Sequence, residues 1–218
     1  MPALIVAIEG ADFAGKTTIA NLMVEILRKN NKNIFFKRTS GPSQLITGVF
    51  PRILANSSSN VSSEVFSLAF ATDFLHKYET VIKPLKEAKE NYVIIEDRCI
   101  LSTIIYQSLI GKANIEWIRE VNKFTKYLPD ITLILKLNID EILKRSTLEK
   151  KDFDKFETKR HLEDEVIIYN NLTPELVKEF KIQYIDANKD PERISKECSD
   201  IIQKEINRRT ETEKFFKI

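Results

Sequence analysis

Apolar residues in this chain follow two alternating patterns: short, nearly unbroken runs, and stripes at helical spacing. The runs are Ala3–Ile8, Ile34–Arg38, Tyr92–Glu96, Ile131–Leu137 and Ile182–Asp186. Runs of this kind are what strands buried on both faces of a parallel sheet require. The stripes lie between them. From Lys16 onward, Ile19, Leu22, Met23, Ile26 and Leu27 share one helix face, and Gln44–Leu54 predicts a second helix with a kink or break at Pro51. Ser62–Tyr78, extending toward Lys89, predicts a long helix whose core stripe is Val65, Leu68, Ala69, Thr72, Leu75 and Tyr78. Phe66, Phe70 and Phe74 form a second face on it, which either widens the buried stripe or is available to a ligand. Further helices are expected over Leu101–Ile110, closed by Gly111, and after Asn114 with Trp117, Ile118, Val121 and Phe124 inward. Others follow Asn138, cover Arg160–Asn170 and start at Pro174 and Pro191, with 210–218 a frayed tail. Strands alternating with helices predict an α/β fold: a five-stranded parallel sheet with helices on both faces, three layers in all.

The link between the first strand and first helix is Gly10-Ala11-Asp12-Phe13-Ala14-Gly15-Lys16-Thr17, which fits the phosphate-loop pattern G-x-x-x-x-G-K-[ST]. In such a loop, backbone N–H groups at a helix N-terminus wrap a nucleotide's phosphates. The lysine adds positive charge there, and the threonine hydroxyl serves a Mg²⁺ ion. The pattern needs a strand before it and a helix after it, and both are predicted. Two of the chain's five glycines are the fixed ones of this motif. Asp97, directly after the third strand, is the natural second Mg²⁺ contact, with a helix N-cap as its structural alternative. Arg98 beside it calls for an anion if buried. The loop Thr39–Ser43 ends the second strand, on the edge where open α/β sheets bind ligands.

A length of 218 residues suits a single domain, 1–218. The net charge of +2 argues against a dedicated nucleic-acid surface. Cys99 and Cys198 form no C-x-x-C and the two histidines stand apart, so zinc and a disulfide framework are not expected. Free thiols suit a cytoplasmic setting. No apolar run reaches membrane-spanning length, and the first strand begins too early to leave room for a signal peptide. The charged stretch Ser146–Glu157 reads on its own as a solvated surface. The GTPase pattern N-K-x-D is absent, and D-x-x-G occurs only within the phosphate loop itself, at Asp12–Gly15, and not after the third strand. A small ATP-dependent kinase is the remaining expectation, with an acceptor pocket off strands two and three and a basic lid at about 144–157.

Across nearly its whole length the sequence resembles the thymidylate kinase family, a group of P-loop nucleoside monophosphate kinases. The resemblance rests on Ile8–Thr18, on Phe36-Lys37-Arg38, on Val81–Leu85 and on Asp97-Arg98 with Leu101-Ser102-Thr103 and Tyr106-Gln107 after it. Asp154–Glu157 resembles the end of the lid. The resemblance implies a P-loop NTPase fold with a lid, ATP and Mg²⁺ as cofactors, a homodimer, and transfer of the ATP γ-phosphoryl to dTMP. It implies ATP contacts at Gly10, Ala11, Asp12, Phe13, Ala14, Gly15, Lys16, Thr17, Thr18, Lys150 and Lys151, with metal at Thr17 and Asp97. It implies acceptor contacts at Arg38, Phe70, Asp73, Phe74, Arg98, Thr103, Tyr106 and Gln107. Asp12, Lys16, Arg98 and Arg145 are the implied catalytic residues.

Three positions depart from the family pattern. Cys99 replaces a tyrosine, Thr39 replaces a glutamate, and Phe74 replaces an arginine that reads the thymine carbonyl. Loss of that planar fork opens the acceptor range to dUMP, UMP or CMP unless another side chain replaces the contact, or leaves a homologue that binds nucleotide without transfer. Phe13 stands where one subgroup has a catalytic arginine, which moves the required charge to Arg145, Lys150 or Lys151 on the lid.

Overall fold

The computed structural model describes residues 1–57, 60–125, 127–148 and 159–215. Its strands are β1 (Leu4–Glu9), β2 (Ile34–Ser40), β3 (Asn91–Asp97), β4 (Ile131–Lys136) and β5 (Ile182–Asp186). They form one parallel sheet in the order β2-β3-β1-β4-β5. Every residue of β1 is buried, as its apolar run predicts. Leu4, Val6 and Ile8 face the large core, while Ile5 and Ile94 pack with Ile82 in a smaller cluster on the other face. This two-residue alternation is that of a sheet covered on both sides. The chain reverses direction across the sheet at β1, between β3 and β4. The loop after β1 therefore opens at the switch point, where sheets of this kind bind ligands.

The helices are α1 (Lys16–Asn30), α2 (Ile46–Ala55) and α3 (Ser63–Lys77), which runs through a π-helical turn (Tyr78–Ile82) into α4 (Lys83–Glu87). After β3 come α5 (Ile100–Thr103), a π-helical stretch (Ile104–Ile110) and α6 (Ile115–Val121). The chain continues with α7 (Ile139–Leu148), α8 (Lys159–Asn170), α9 (Pro174–Glu179) and α10 (Pro191–Phe215).

Several helical expectations need correction. Of the core stripe expected on α3, Ala69 is buried, but Val65 and Leu68 are 42% and 49% exposed and Thr72 is exposed too, while Phe66 and Phe74 are buried. Periodicity identifies apolar stripes without saying which one the same chain covers. The neighbouring α2 also leaves Ile46, Val49, Phe50 and Ile53 exposed, and it passes through Pro51 unbroken. Phe124 lies beyond the end of α6 and is exposed. The helix over 101–110 widens to π geometry after Thr103, and Gly111 ends it without a left-handed turn. Space explains the glycine, since a Cβ there would lie 2.1 Å from Ser63 Oγ. The tail is not frayed at 210, because α10 continues to Phe215.

Candidate active site

The phosphate loop begins where β1 ends. Gly10 has φ 146° and Gly15 φ 84°, both in the region that favours glycine. A Cβ on Gly10 would also meet Leu135 O of β4 at 3.0 Å. Phe13 is held at φ 61° and Arg98, at the end of β3, at φ 69°. Sparsely populated backbone at non-glycine residues is typical of ligand clamps. Lys16 is buried, and its Nζ donates to Gly10 O at 3.1 Å and Ala11 O at 2.8 Å. Burial and the nearby Arg98 lower its pKa, against the opposing pull of Asp12. Thr17, the first exposed residue of α1, donates from Oγ1 to Asp97 Oδ2 at 2.5 Å.

Beneath the loop lies a buried hub that the sequence reading passed over. Glu9 is fully buried, and its Oε1 accepts from Cys99 N at 2.7 Å. Its Oε2 accepts from Ser102 Oγ at 2.7 Å and from Tyr169 Oη at 2.9 Å. Arg98 is seated on this hub. It donates from Nη1 to Ser102 Oγ and to Tyr169 Oη, both at 3.1 Å, and from Nη2 to Asp12 Oδ1. Its guanidinium also lies 5.1 Å from the Tyr106 ring centre. Burial disfavours the charge, but Tyr106, Asp12, Tyr169 and Glu9 more than compensate, and Arg98 stays firmly protonated. Burial also opposes ionisation of Asp12, yet Arg98 and Lys16 hold its pKa below the usual value.

Helix α8 supplies a second unanticipated group. Glu165 Oε2 accepts from Asp12 N at 2.7 Å, and its Oε1 lies 3.4 Å from His161 Nε2. Burial, and then the negative charge of Asp12, push Glu165 up to about 7. His161, Glu165 and Tyr169 recur every four residues among the apolar Leu162 and Val166, a polar stripe on an inward face. That spacing was the available signal. For Glu9, the signal was a lone acid ending an apolar strand.

Asp12 and Arg98 line a cavity of about 330 Å³. Phe66, Phe70 and Phe74 of α3 line one wall, Gly41 and Pro42 another, and Thr103, Tyr106 and Gln107 a third. Phe70 and Phe74 stack with ring centres 6.0 Å apart. Gln107 Oε1 and Tyr106 Oη are buried without a hydrogen-bond partner among the described residues. Burial raises the Cys99 thiol well above its ordinary value, so this lining residue is unreactive.

Seven of the expected residues thus share one cavity: Asp12, Phe70, Phe74, Arg98, Thr103, Tyr106 and Gln107. Arg38 and Asp73 lie outside it. Arg38 turns to Asn21 of α1, and its Nε has no partner among the described residues. Asp73 is fully buried behind the wall, accepting from Ser43 N at 2.7 Å, Ser43 Oγ at 2.5 Å and Thr47 Oγ1 at 3.0 Å. It fixes the loop after β2. Arg145 lies on the other side of the phosphate loop, donating to Ala14 O at 3.4 Å and Ala187 O at 3.1 Å. Lys150 and Lys151 lie outside the described residues.

Among the described residues there is no group of three or more His, Cys, Asp or Glu suited to a metal. Thr17 and Asp97 offer two hard oxygens at the loop's mouth. This fits Mg²⁺, which keeps waters and phosphate oxygens for most of its coordination sphere. No described helix is long and apolar enough to cross a membrane.

The signature of the family described as Thymidylate kinase matches residues 8–198. A Brachyspira hyodysenteriae protein named Thymidylate kinase is 32% identical over 203 residues, 93% of each chain. A Mesoplasma florum protein of the same name is 29% identical over 93% of this chain and 96% of its own. A Caldivirga maquilingensis protein named Probable thymidylate kinase is 34% identical over 65% of this chain and 67% of its own. The match takes in the phosphate loop and all three walls of the cavity, and the chain belongs to the thymidylate kinase family.

Proposed function

We propose that this protein transfers the γ-phosphoryl of ATP to the 5′-phosphate of dTMP, giving ADP and dTDP. The observation that carries this reading is the double engagement of Arg98. Its guanidinium bonds Asp12 of the phosphate loop and also lines the phenylalanine-walled cavity. One cation therefore stands between a donor cradle and a pocket suited to a flat, apolar-faced base. The names of the relatives support thymidylate as the acceptor.

In this reading Gly10 to Thr18 cradle the ATP phosphates, and Lys16 leaves the Gly10 and Ala11 carbonyls to neutralise them. Thr17 and Asp97 would hold Mg²⁺, which when bound screens charge on the donor phosphates. Arg98 grips the acceptor phosphate, and Arg38 joins it by turning away from Asn21. Asp12 orients the acceptor, Phe70 stacks on its base, and Thr103 and Gln107 face the base edge. Tyr106 crowds the sugar. Arg145 steadies the donor side. Transfer of this kind depends on positioning and charge neutralisation more than on covalent help. The exposed apolar residues of α2 and α3 are assigned to a homodimer interface, which sedimentation would test.

Product analysis after incubation with ATP and, separately, dTMP, dUMP, UMP and CMP tests the reading. Conversion of dTMP to dTDP well ahead of the others is expected. Preference for a ribonucleotide would overturn the acceptor assignment.

A further inference from the structure

Behind the cavity lies an ion pair that touches none of its space. Lys77 of α3 is 1% exposed and Glu96 of β3 is fully buried, with Nζ 2.7 Å from Oε1. Nζ also donates to Ser40 O at 3.3 Å and lies 4.8 Å from the centre of the Phe74 ring. The same Glu96 Oε1 accepts from Tyr127 Oη at 2.8 Å and from Thr39 Oγ1 at 3.4 Å. Ser40 leads into Gly41 and Pro42, the second wall. Phe74 packs so closely on Gly41 that a Cβ there would lie 3.1 Å from its ring. Glu96 in turn directly precedes Asp97 and Arg98, at the root of the third wall.

Burying such a pair gains little stability over apolar side chains of the same volume. What it does supply is direction. Three contacts at one ammonium tie together the end of β2, the phenylalanine face of α3 and the end of β3. We propose that Lys77, with Glu96 as its counter-charge, is a positioning residue that sets the spacing of the three cavity walls and hence the affinity for the acceptor. This rests on the cavity being the acceptor pocket.

The test is K77M/E96Q, which removes both charges while keeping size and leaves Glu96's carbonyl-type oxygen for Tyr127. The double variant should melt near the wild type. Its KM for dTMP should rise about tenfold, with the KM for ATP unchanged within twofold. A second variant, Y127F, withdraws one donor from Glu96 without touching Lys77, and should raise the dTMP KM severalfold with the same indifference to ATP. Wild-type dTMP KM values in whichever of these variants fold would overturn the inference while leaving the acceptor reading intact. ADP release by the wild type that needs no monophosphate would overturn both.

Discussion

Glu9 and Tyr169 stand 160 positions apart in the chain and meet beneath Arg98, where the tyrosine hydroxyl donates to Glu9 Oε2 at 2.9 Å. The same hydroxyl accepts from Arg98, so a helix late in the chain holds the guanidinium in place. Tyr169→Phe leaves the ring packed and withdraws the hydroxyl's bonds to Glu9, Arg98 and Ser102 together. It should cost about 1–3 kcal/mol of stability, since Glu9 is left under-satisfied in a buried site. It should also raise the acceptor KM several-fold more than the ATP KM. Thermal melts and paired KM measurements check both effects, and a variant matching the wild type in each would contradict the hub's role.

Arg98→Ala removes the cation between donor and acceptor. Truncating one partner of a buried charge pair costs about 2–5 kcal/mol. Acceptor affinity should therefore fall on the order of 30-fold or more, with a much smaller effect on ATP. Calorimetric titration of each nucleotide separates the two, and equal losses would count against the assignment.

Phe70 and Phe74 are neighbours in one stack but should respond differently. Phe70 is only half-buried and lines the cavity, so Phe70→Ala should weaken acceptor binding by about 1–3 kcal/mol, the usual value for an aromatic stacked on a base. Phe74 is 2% exposed and packed on Gly41. Phe74→Ala should instead cost about 3–5 kcal/mol of stability. The contrast is read from urea midpoints set beside acceptor KM values.

Glu165 should make stability depend on pH. Its pKa rises from 4.5 to about 7 on folding, so between those values the native state holds a proton that the unfolded chain releases. Stability from this group is complete below pH 4.5, falls as pH rises, and levels off above about 7. The full loss is roughly 3 kcal/mol. Glu165→Gln should gain on the wild type by up to that amount between pH 5 and 8. Parallel pH profiles would show that Glu165 titrates normally.

The strands and the phosphate loop were legible because each leaves a local signature. A strand buried on both faces must be an apolar run, and Gly10 and Gly15 sit where other residues strain. The cavity's phenylalanines were legible as a face of α3, though their alternatives were not. Val65 and Leu68 follow the same period and turn outward, because which stripe is covered depends on what else folds against it. Glu9, Glu165 and Tyr169 were missed for a related reason. Their meaning comes from partners up to 160 residues away, which no window of sequence contains. Asp73 accepts three bonds that anchor the loop after β2, and a carboxylate leaves no trace of such bonds in its sequence neighbours.

The most direct test of the central claim is ADP release by the purified chain with ATP, Mg²⁺ and dTMP, repeated with Lys16→Ala. Release should require dTMP, match dTDP formation mole for mole, and vanish in the variant. ADP release without dTMP, or wild-type-like transfer by Lys16→Ala, would contradict the account.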